Sequence, residues 1–270
     1  MAQRFAGSTA IVTGASMGLG RALAVEFARE GANIVLAARS EPELRAAAEE
    51  IGRFGGRALP VVTDVARRDD LARAVEKALA AFGRLDVLVN NAGYGVTAFL
   101  EDVPPAELER LFKVNVFALV DAVQLALPAL VKARGIVVNV GSVIGRRGVP
   151  PVGAYCMTKA AVASFSESLR AELAHRGVHV LQVEPGLTAT RFSENRRLFG
   201  PHDHPRSFRS SFVMSAETAA RRIVRAAARR KDRLVLGLPG KAMILANAVA
   251  PWLLNRLLAR AVARKYGGNS

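Results

Sequence analysis

Six short runs rich in Val, Ile and Leu alternate, along the first 190 residues, with longer segments whose apolar residues recur at helical spacing. The runs are Thr9–Thr13, Asn33–Ala38, Ala58–Val62, Asp86–Asn90, Ile136–Val140 and Val178–Val183. The clearest helical segments are Leu19–Arg29, Pro42–Ile51, Asp69–Phe82, Pro105–Leu119 and Tyr155–His175. A chain patterned this way has few folds open to it. Strands joined by helical crossovers run parallel, and the crossovers are right-handed, so the alternation predicts an α/β doubly wound parallel sheet with helices on both faces. Ligands of such sheets bind beyond the carboxyl ends of the strands. No repeat or low-complexity linker interrupts this part, and 270 residues with 51% hydrophobic content can bury one full core. The expectation is one domain over residues 1–240 with a C-terminal extension at 241–270.

The formal charge of +15 suggests a nucleic-acid binder until its distribution is considered. Residues 221–270 hold twelve Lys or Arg against the single acid Asp232, whereas residues 1–190 are nearly neutral. Few aromatics are interleaved with the basic residues of the tail, so base stacking has little support and no nucleic-acid partner is expected. The one cysteine, Cys156, excludes an internal disulfide and reads as a small apolar packing residue. With no signal-like apolar core in "MAQRFAGSTA", the expected location is cytoplasmic. His202 and His204 lie in the polar, basic segment 191–214 with no third ligand in sight, so no metal is expected.

Directly after the first strand comes "TGASMGLG", Thr13 to Gly20. At a strand-to-helix turn, Gly14, Gly18 and Gly20 permit tight dihedrals and close approach of a pyrophosphate to the free N–H groups of the next helix. A tight turn that binds nothing is the alternative. The second strand ends in Ala38 and Arg39, where an acid would hold a ribose 2′-hydroxyl and an arginine suits a 2′-phosphate. NADP is therefore favoured over NAD, unless Arg39 is an ordinary surface arginine. Asp64 in "TDV" could accept from an adenine amino group and Asn90 in "NNAG" could fix the turn, or either is a capping residue.

Tyr155 and Lys159 are four apart, so on a helix they face the same way. A lysine ammonium nearby favours the phenolate and lowers a tyrosine pKa, and Ser142 could hold a substrate carbonyl oxygen while Tyr155 gives or takes a proton. An exposed pair with no such role is the alternative.

Together these residues resemble the short-chain dehydrogenase/reductase family over roughly residues 5–190: TGASMGLG, Asp64, NNAG, Asn115, Ser142, Tyr155-x-x-x-Lys159 and "PGLTAT", in the family's order. The resemblance implies a single-domain Rossmann fold and NAD(P)-dependent interconversion of carbonyls and alcohols. It implies Tyr155 as the general acid or base, Lys159 as its modulator and a ligand of the nicotinamide ribose, and Ser142 as the group polarising the carbonyl. Asn115 would hold a water linked to Lys159. Gly14, Ser16, Gly18, Leu19 and Gly20 would line the pyrophosphate, Asp64 and Val65 the adenine, and Asn90, Ala92 and Gly93 the adenosine side. Pro185, Gly186, Thr188 and Thr190 would position the nicotinamide carboxamide. The hydride chemistry is the nicotinamide's own.

The expected reading is thus an NADP(H)-dependent oxidoreductase acting on a small-molecule carbonyl or alcohol. Val143, Ile144, Val152 and Leu187 make its pocket apolar, residues 191–214 cover the substrate, and the enzyme is a homodimer or homotetramer. The competing reading is a noncatalytic dinucleotide-binding protein whose basic tail engages membrane or nucleic acid. In that tail Leu253, Leu254, Leu257, Leu258 and Val262 recur at helical spacing after Pro251, with Arg256, Arg260, Arg264 and Lys265 around them. Such a helix either packs on protein or lies at an anionic membrane surface.

Overall fold

A computed structural model describes residues 3–186, 188–189, 195–201 and 213–266. Seven strands form one sheet: β1 (Thr9–Thr13), β2 (Asn33–Ala38), β3 (Ala58–Val62), β4 (Val87–Asn90), β5 (Ile136–Val140), β6 (His179–Pro185) and β7 (Arg233–Leu236). Their spatial order is β7-β6-β5-β4-β1-β2-β3, and every pairing is parallel. The order reverses between β1 and β4, which creates the crevice at which such sheets bind ligands.

The crossovers are α1 (Gly18–Arg29), α2 (Glu41–Gly52), α3 (Arg68–Phe82), α4 (Pro105–Phe112), α5 (Ala118–Ala133), α6 (Gly153–Ala174) and α7 (Ala216–Ala228). Alternate strand residues feed opposite faces, as the strand period requires. Val12, Ile34 and Leu36 pack with α1, α2 and α7, while Ile11, Val35 and Ala37 pack with α3, α5 and α6. The inner strands are buried on both faces, which is why they read as continuous apolar runs, while the edge strands β3 and β7 are partly exposed.

The helix expected over Pro105–Leu119 is instead α4, a π-helical turn at Lys113–Phe117, and α5 running on to Ala133 with Pro128 inside it. Apolar spacing continues through the junction, so periodicity cannot reveal one wider turn. Beyond β7 the chain forms α8 (Leu238–Val249) and α9 (Pro251–Tyr266), bent by 116° where Ala250 joins them. Pro251 breaks the apolar stretch as expected and starts α9, where its missing N–H costs nothing.

Candidate active site

The end of β1 is tied to the end of β4. Thr13 Oγ1 donates to Val89 O at 3.1 Å and accepts from the N–H groups of Asn91 and Ala92 at 3.0 and 3.1 Å, while Asn91 Nδ2 donates to Thr13 O at 3.0 Å. The glycine turn passes between these strand ends and β2, with the Gly14 N–H donating to Ala37 O at 2.8 Å. There is no room for side chains there. A Cβ on Gly14, whose φ is +67°, would stand 2.9 Å from Asn91 Nδ2, and one on Gly20 would stand 2.1 Å from Gly14 O. Gly18, at φ +55°, opens α1. Met17 at the N-cap supplies no side-chain cap and the first turn has no acidic residue, so no carboxylate competes for its N–H groups. Ser16 is half-buried in this turn, and Leu19 packs on the α1 side of the core. A cradle limited by backbone contact and followed by an uncapped helix fits a dinucleotide pyrophosphate.

Arg39 is exposed at the end of β2. Asp64 follows β3: its N–H donates to Asp70 Oδ2 at 2.9 Å and its Oδ1 accepts from Ala66 N at 3.0 Å, so part of the carboxylate serves the turn. Val65 is buried with α3 and α5. Asn90 departs from expectation. Its side chain turns inward and donates to Asn139 Oδ1 on β5 at 2.9 Å, and Asn139 in turn donates to Ser166 Oγ at 3.0 Å. Asn91, which the sequence reading passed over, is the residue that fixes the turn, because it stands past the end of β4 where its side chain can reach β1. Thr13, the last residue of β1, is its partner.

Gly93 and Asn115 meet next. A Cβ on Gly93 would lie 2.9 Å from Asn115 Oδ1 and 3.9 Å from Lys159 Nζ. Asn115, 2% exposed, sits in the π-helical turn, accepts from Tyr94 N at 3.1 Å and donates to Tyr94 O at 2.9 Å and to Thr158 Oγ1 at 3.1 Å. The wider turn is what presents this side chain to α6, and such bulges gather at functional sites. Thr158, also absent from the sequence reading, holds Asn115 from the helix that carries Tyr155 and Lys159. A pocket of about 10 Å³, room for one water, is lined by Thr13, Asn90, Asn115, Val140 and Lys159.

Tyr155 and Lys159 are both buried in α6, so the exposed-pair alternative does not describe them. Lys159 Nζ donates to Val140 O at 2.9 Å and lies 5.6 Å from the Tyr155 ring centroid. Burial lowers the Lys159 pKa to about 8. Burial, with a smaller contribution from Cys156, pushes the Tyr155 phenol above its ordinary value, opposite to the expected lowering. Desolvation sets the direction of this shift, and the Lys159 ammonium directs a proton at a backbone carbonyl. Ser142, half-buried just past β5, donates to Pro185 O at 3.5 Å and accepts from Ile144 N at 3.4 Å, both long contacts that a better acceptor or donor could replace.

At the end of β6, Gly186 N donates to Leu236 O at 3.2 Å, and Thr188 Oγ1 donates to Gly186 O at 3.3 Å. Thr190, Leu187, His202 and His204 lie outside the described residues. Val143 is buried against α8, where a Cβ on Gly240 would stand 2.6 Å from its Cγ1, while Ile144 and Val152 are half-buried. Cys156 packs as expected, and burial pushes its thiol up.

The family model for short chain dehydrogenase matches residues 8–199, and the chain belongs to that family. It is 34% identical over 192 residues to the 3-oxoacyl-[acyl-carrier-protein] reductase FabG of Thermotoga maritima, covering 71% of this chain and 78% of that protein. It is 40% identical over 183 residues to the 11-beta-hydroxysteroid dehydrogenase-like 4A of Arabidopsis thaliana, covering 67% of this chain but only 61% of that one. A short chain dehydrogenase/reductase from Burkholderia phymatum in complex with NAD superposes with a TM-score of 0.80 at 27% identity, covering 90% of this chain and 92% of its own. An alcohol dehydrogenase from Thermococcus sibiricus complexed with 5-hydroxy-NADP gives 0.75 at 26% identity, with coverages of 85% and 96%. The chain is accordingly an oxidoreductase whose fold binds a nicotinamide dinucleotide.

Proposed function

We propose that this enzyme interconverts a carbonyl and an alcohol on an apolar small molecule with NADP(H), using Tyr155 as the acid or base. The observation that carries the reading is the buried Asn115–Thr158–Tyr155–Lys159 cluster, bonded through Lys159 to the end of β5 just before Ser142 and set next to the glycine cradle. Gly14, Ser16, Gly18, Leu19 and Gly20 would hold the pyrophosphate, Asp64 and Val65 the adenine, Ala92 and Gly93 the adenosine side, and Pro185, Gly186 and Thr188 the carboxamide. When bound, the nicotinamide exchanges a hydride with the substrate carbon.

In the reducing direction charge grows on the substrate oxygen. Tyr155, kept protonated by burial, donates its proton there, and Ser142 Oγ donates a hydrogen bond to the same atom. Lys159, with a pKa near neutrality, replaces the lost proton through the water-sized pocket that Asn115 lines. Arg39 supports NADP, because it stands exposed at the end of β2 where Ala38 leaves no carboxylate to repel a 2′-phosphate.

The test is a panel of apolar ketones, aldehydes and alcohols followed by nicotinamide absorbance. Consumption of NADPH with at least one carbonyl, faster than of NADH, is expected. Equal use of both nucleotides would remove the cofactor assignment, and no turnover with any compound would remove the reaction.

A further inference from the structure

The helical pair α8–α9 keeps its inner side on the body of the protein and leaves an apolar outer side uncovered. Arg147 donates to Asn247 Oδ1 at 2.8 Å and pairs with Asn255, and Asn247 Nδ2 returns a bond to Arg146 O at 3.1 Å. At the far end the Tyr266 ring meets Phe99 edge-on with centroids 5.1 Å apart. Between these anchors Leu254, Leu258 and Val262 are half-buried one turn apart. The tail therefore bridges from the segment after Ser142 to the segment after β4, along the edge of the proposed cleft.

The outer side is different. Leu238, Leu245, Val249, Trp252, Leu253 and Leu257 are all exposed, Leu238 by 76% and Val249 by 74%. They are six of the fourteen large apolar side chains exposed among the described residues, gathered within twenty positions, and scattered exposure would not concentrate them so. From Arg233 to Tyr266 there is no Asp or Glu, while Lys241, Arg256, Arg260, Arg264 and Lys265 lie on these helices. The Arg256 guanidinium sits 5.5 Å from the Trp252 ring centroid, joining a cation to an amphipathic ring of the kind enriched at lipid headgroups.

We propose that the outer face of α8 and α9 docks on an anionic phospholipid surface. An apolar face that continues into cations along the same side of α9, with no acid on either helix, complements acyl chains below a negative headgroup layer. A second copy of this chain fits worse, because a two-fold contact would set the face's cations, with no acid to pair them, against one another. The pair lies along the surface rather than crossing it: α8 has 12 residues, about 18 Å of helix, against roughly 30 Å of hydrocarbon, and the 116° bend prevents its continuation. The docked face borders the cleft, so an apolar substrate can enter from the lipid. That last step rests on the proposed function, while the docking does not.

Flotation of the full chain with phosphatidylcholine vesicles, alone or with about a third phosphatidylglycerol, tests the docking. Binding to the anionic vesicles at low salt is expected, and at least tenfold less at high salt. The same loss is expected in the variant Arg256→Gln/Arg260→Gln/Arg264→Gln/Lys265→Gln and in Leu245→Ser/Val249→Ser/Trp252→Ser/Leu257→Ser, each with unchanged melting temperature. No flotation of the wild type, or equal binding to both vesicles, overturns the proposal. So does an apolar-face variant whose only change is a smaller solution mass, which would assign the face to a second copy. Turnover measured without vesicles reports on the reaction separately.

Discussion

The glycine cradle and the α8–α9 pair are held by opposite means. The cradle is fixed by backbone contacts so close that Gly14 and Gly20 have no space for a methyl group, and Thr13 and Asn91 lock the strand ends around it. The helical pair is held by the bonds of Arg147, the return bond from Asn247 to Arg146 O, the contact of Gly240 with Val143, an aromatic contact and a half-buried stripe, and α9 has no fully buried residue. A region whose ligand must touch backbone tolerates no side-chain change, whereas one that meets a surface can vary in sequence so long as polarity and charge are kept. This explains why only the first carries a motif.

Substitutions should separate the two regions, beginning with the most severe. Gly20→Val places a branched side chain where even a Cβ meets Gly14 O at 2.1 Å; it should cost roughly 3 kcal/mol or more and abolish dinucleotide binding, as thermal unfolding and nucleotide titration would show. Survival of full affinity would mean the cradle is not built by sterics.

Lys159 offers a pH test of its burial. Between its folded pKa of about 8 and the ordinary lysine value of 10.5 the unfolded chain holds a proton that the folded chain does not. Stability should therefore rise with pH across that window, by about 3 kcal/mol relative to Lys159→Met, and the two proteins should differ by a constant below pH 8. Parallel curves throughout would show that the ammonium is not desolvated.

Arg39→Asp puts a carboxylate where a 2′-phosphate is proposed and should shift the ratio of kcat/KM for NADPH over NADH toward NADH by tenfold or more. The smallest effect is expected in the tail. Arg147→Ala loses partly exposed bonds to Asn247 and Asn255, and should lower stability by about 1 kcal/mol while making α9 more open to proteolysis. A loss as large as that of Gly20→Val would erase the contrast between the regions.

Six of the seven strands and the parallel order were legible because strands covered on both faces are written as Val, Ile and Leu runs, whereas α7 and the short edge strand β7, with Arg233 exposed, carry no such run and were not expected. The glycine turn and the Tyr155–Lys159 pair were legible because each depends on spacing along one element. What depends on neighbouring elements was not. The sequence offers "NNAG" without saying that Asn90 ends within the sheet, facing Asn139, while Asn91 crosses to Thr13. It places Asn115 in a helical period that hides the π-helical turn. It pairs Tyr155 with Lys159 but cannot show that the phenol is buried deeply enough to be pushed up. The tail's apolar stripe was visible, yet only packing divides it into half-buried Leu254 and Leu258 and exposed Leu253 and Leu257.

The central claim is that one buried phenol moves the proton while a separate cradle holds the dinucleotide. NADPH oxidation with the best carbonyl of the panel, measured for wild type and Tyr155→Phe alongside NADPH affinity by fluorescence titration, tests it most directly. Turnover should fall by about 10³-fold with affinity kept within a few-fold, since the ring still fills its site and only the transferable proton is gone. Substantial turnover in Tyr155→Phe, or a loss accounted for by weaker NADPH binding alone, would contradict it.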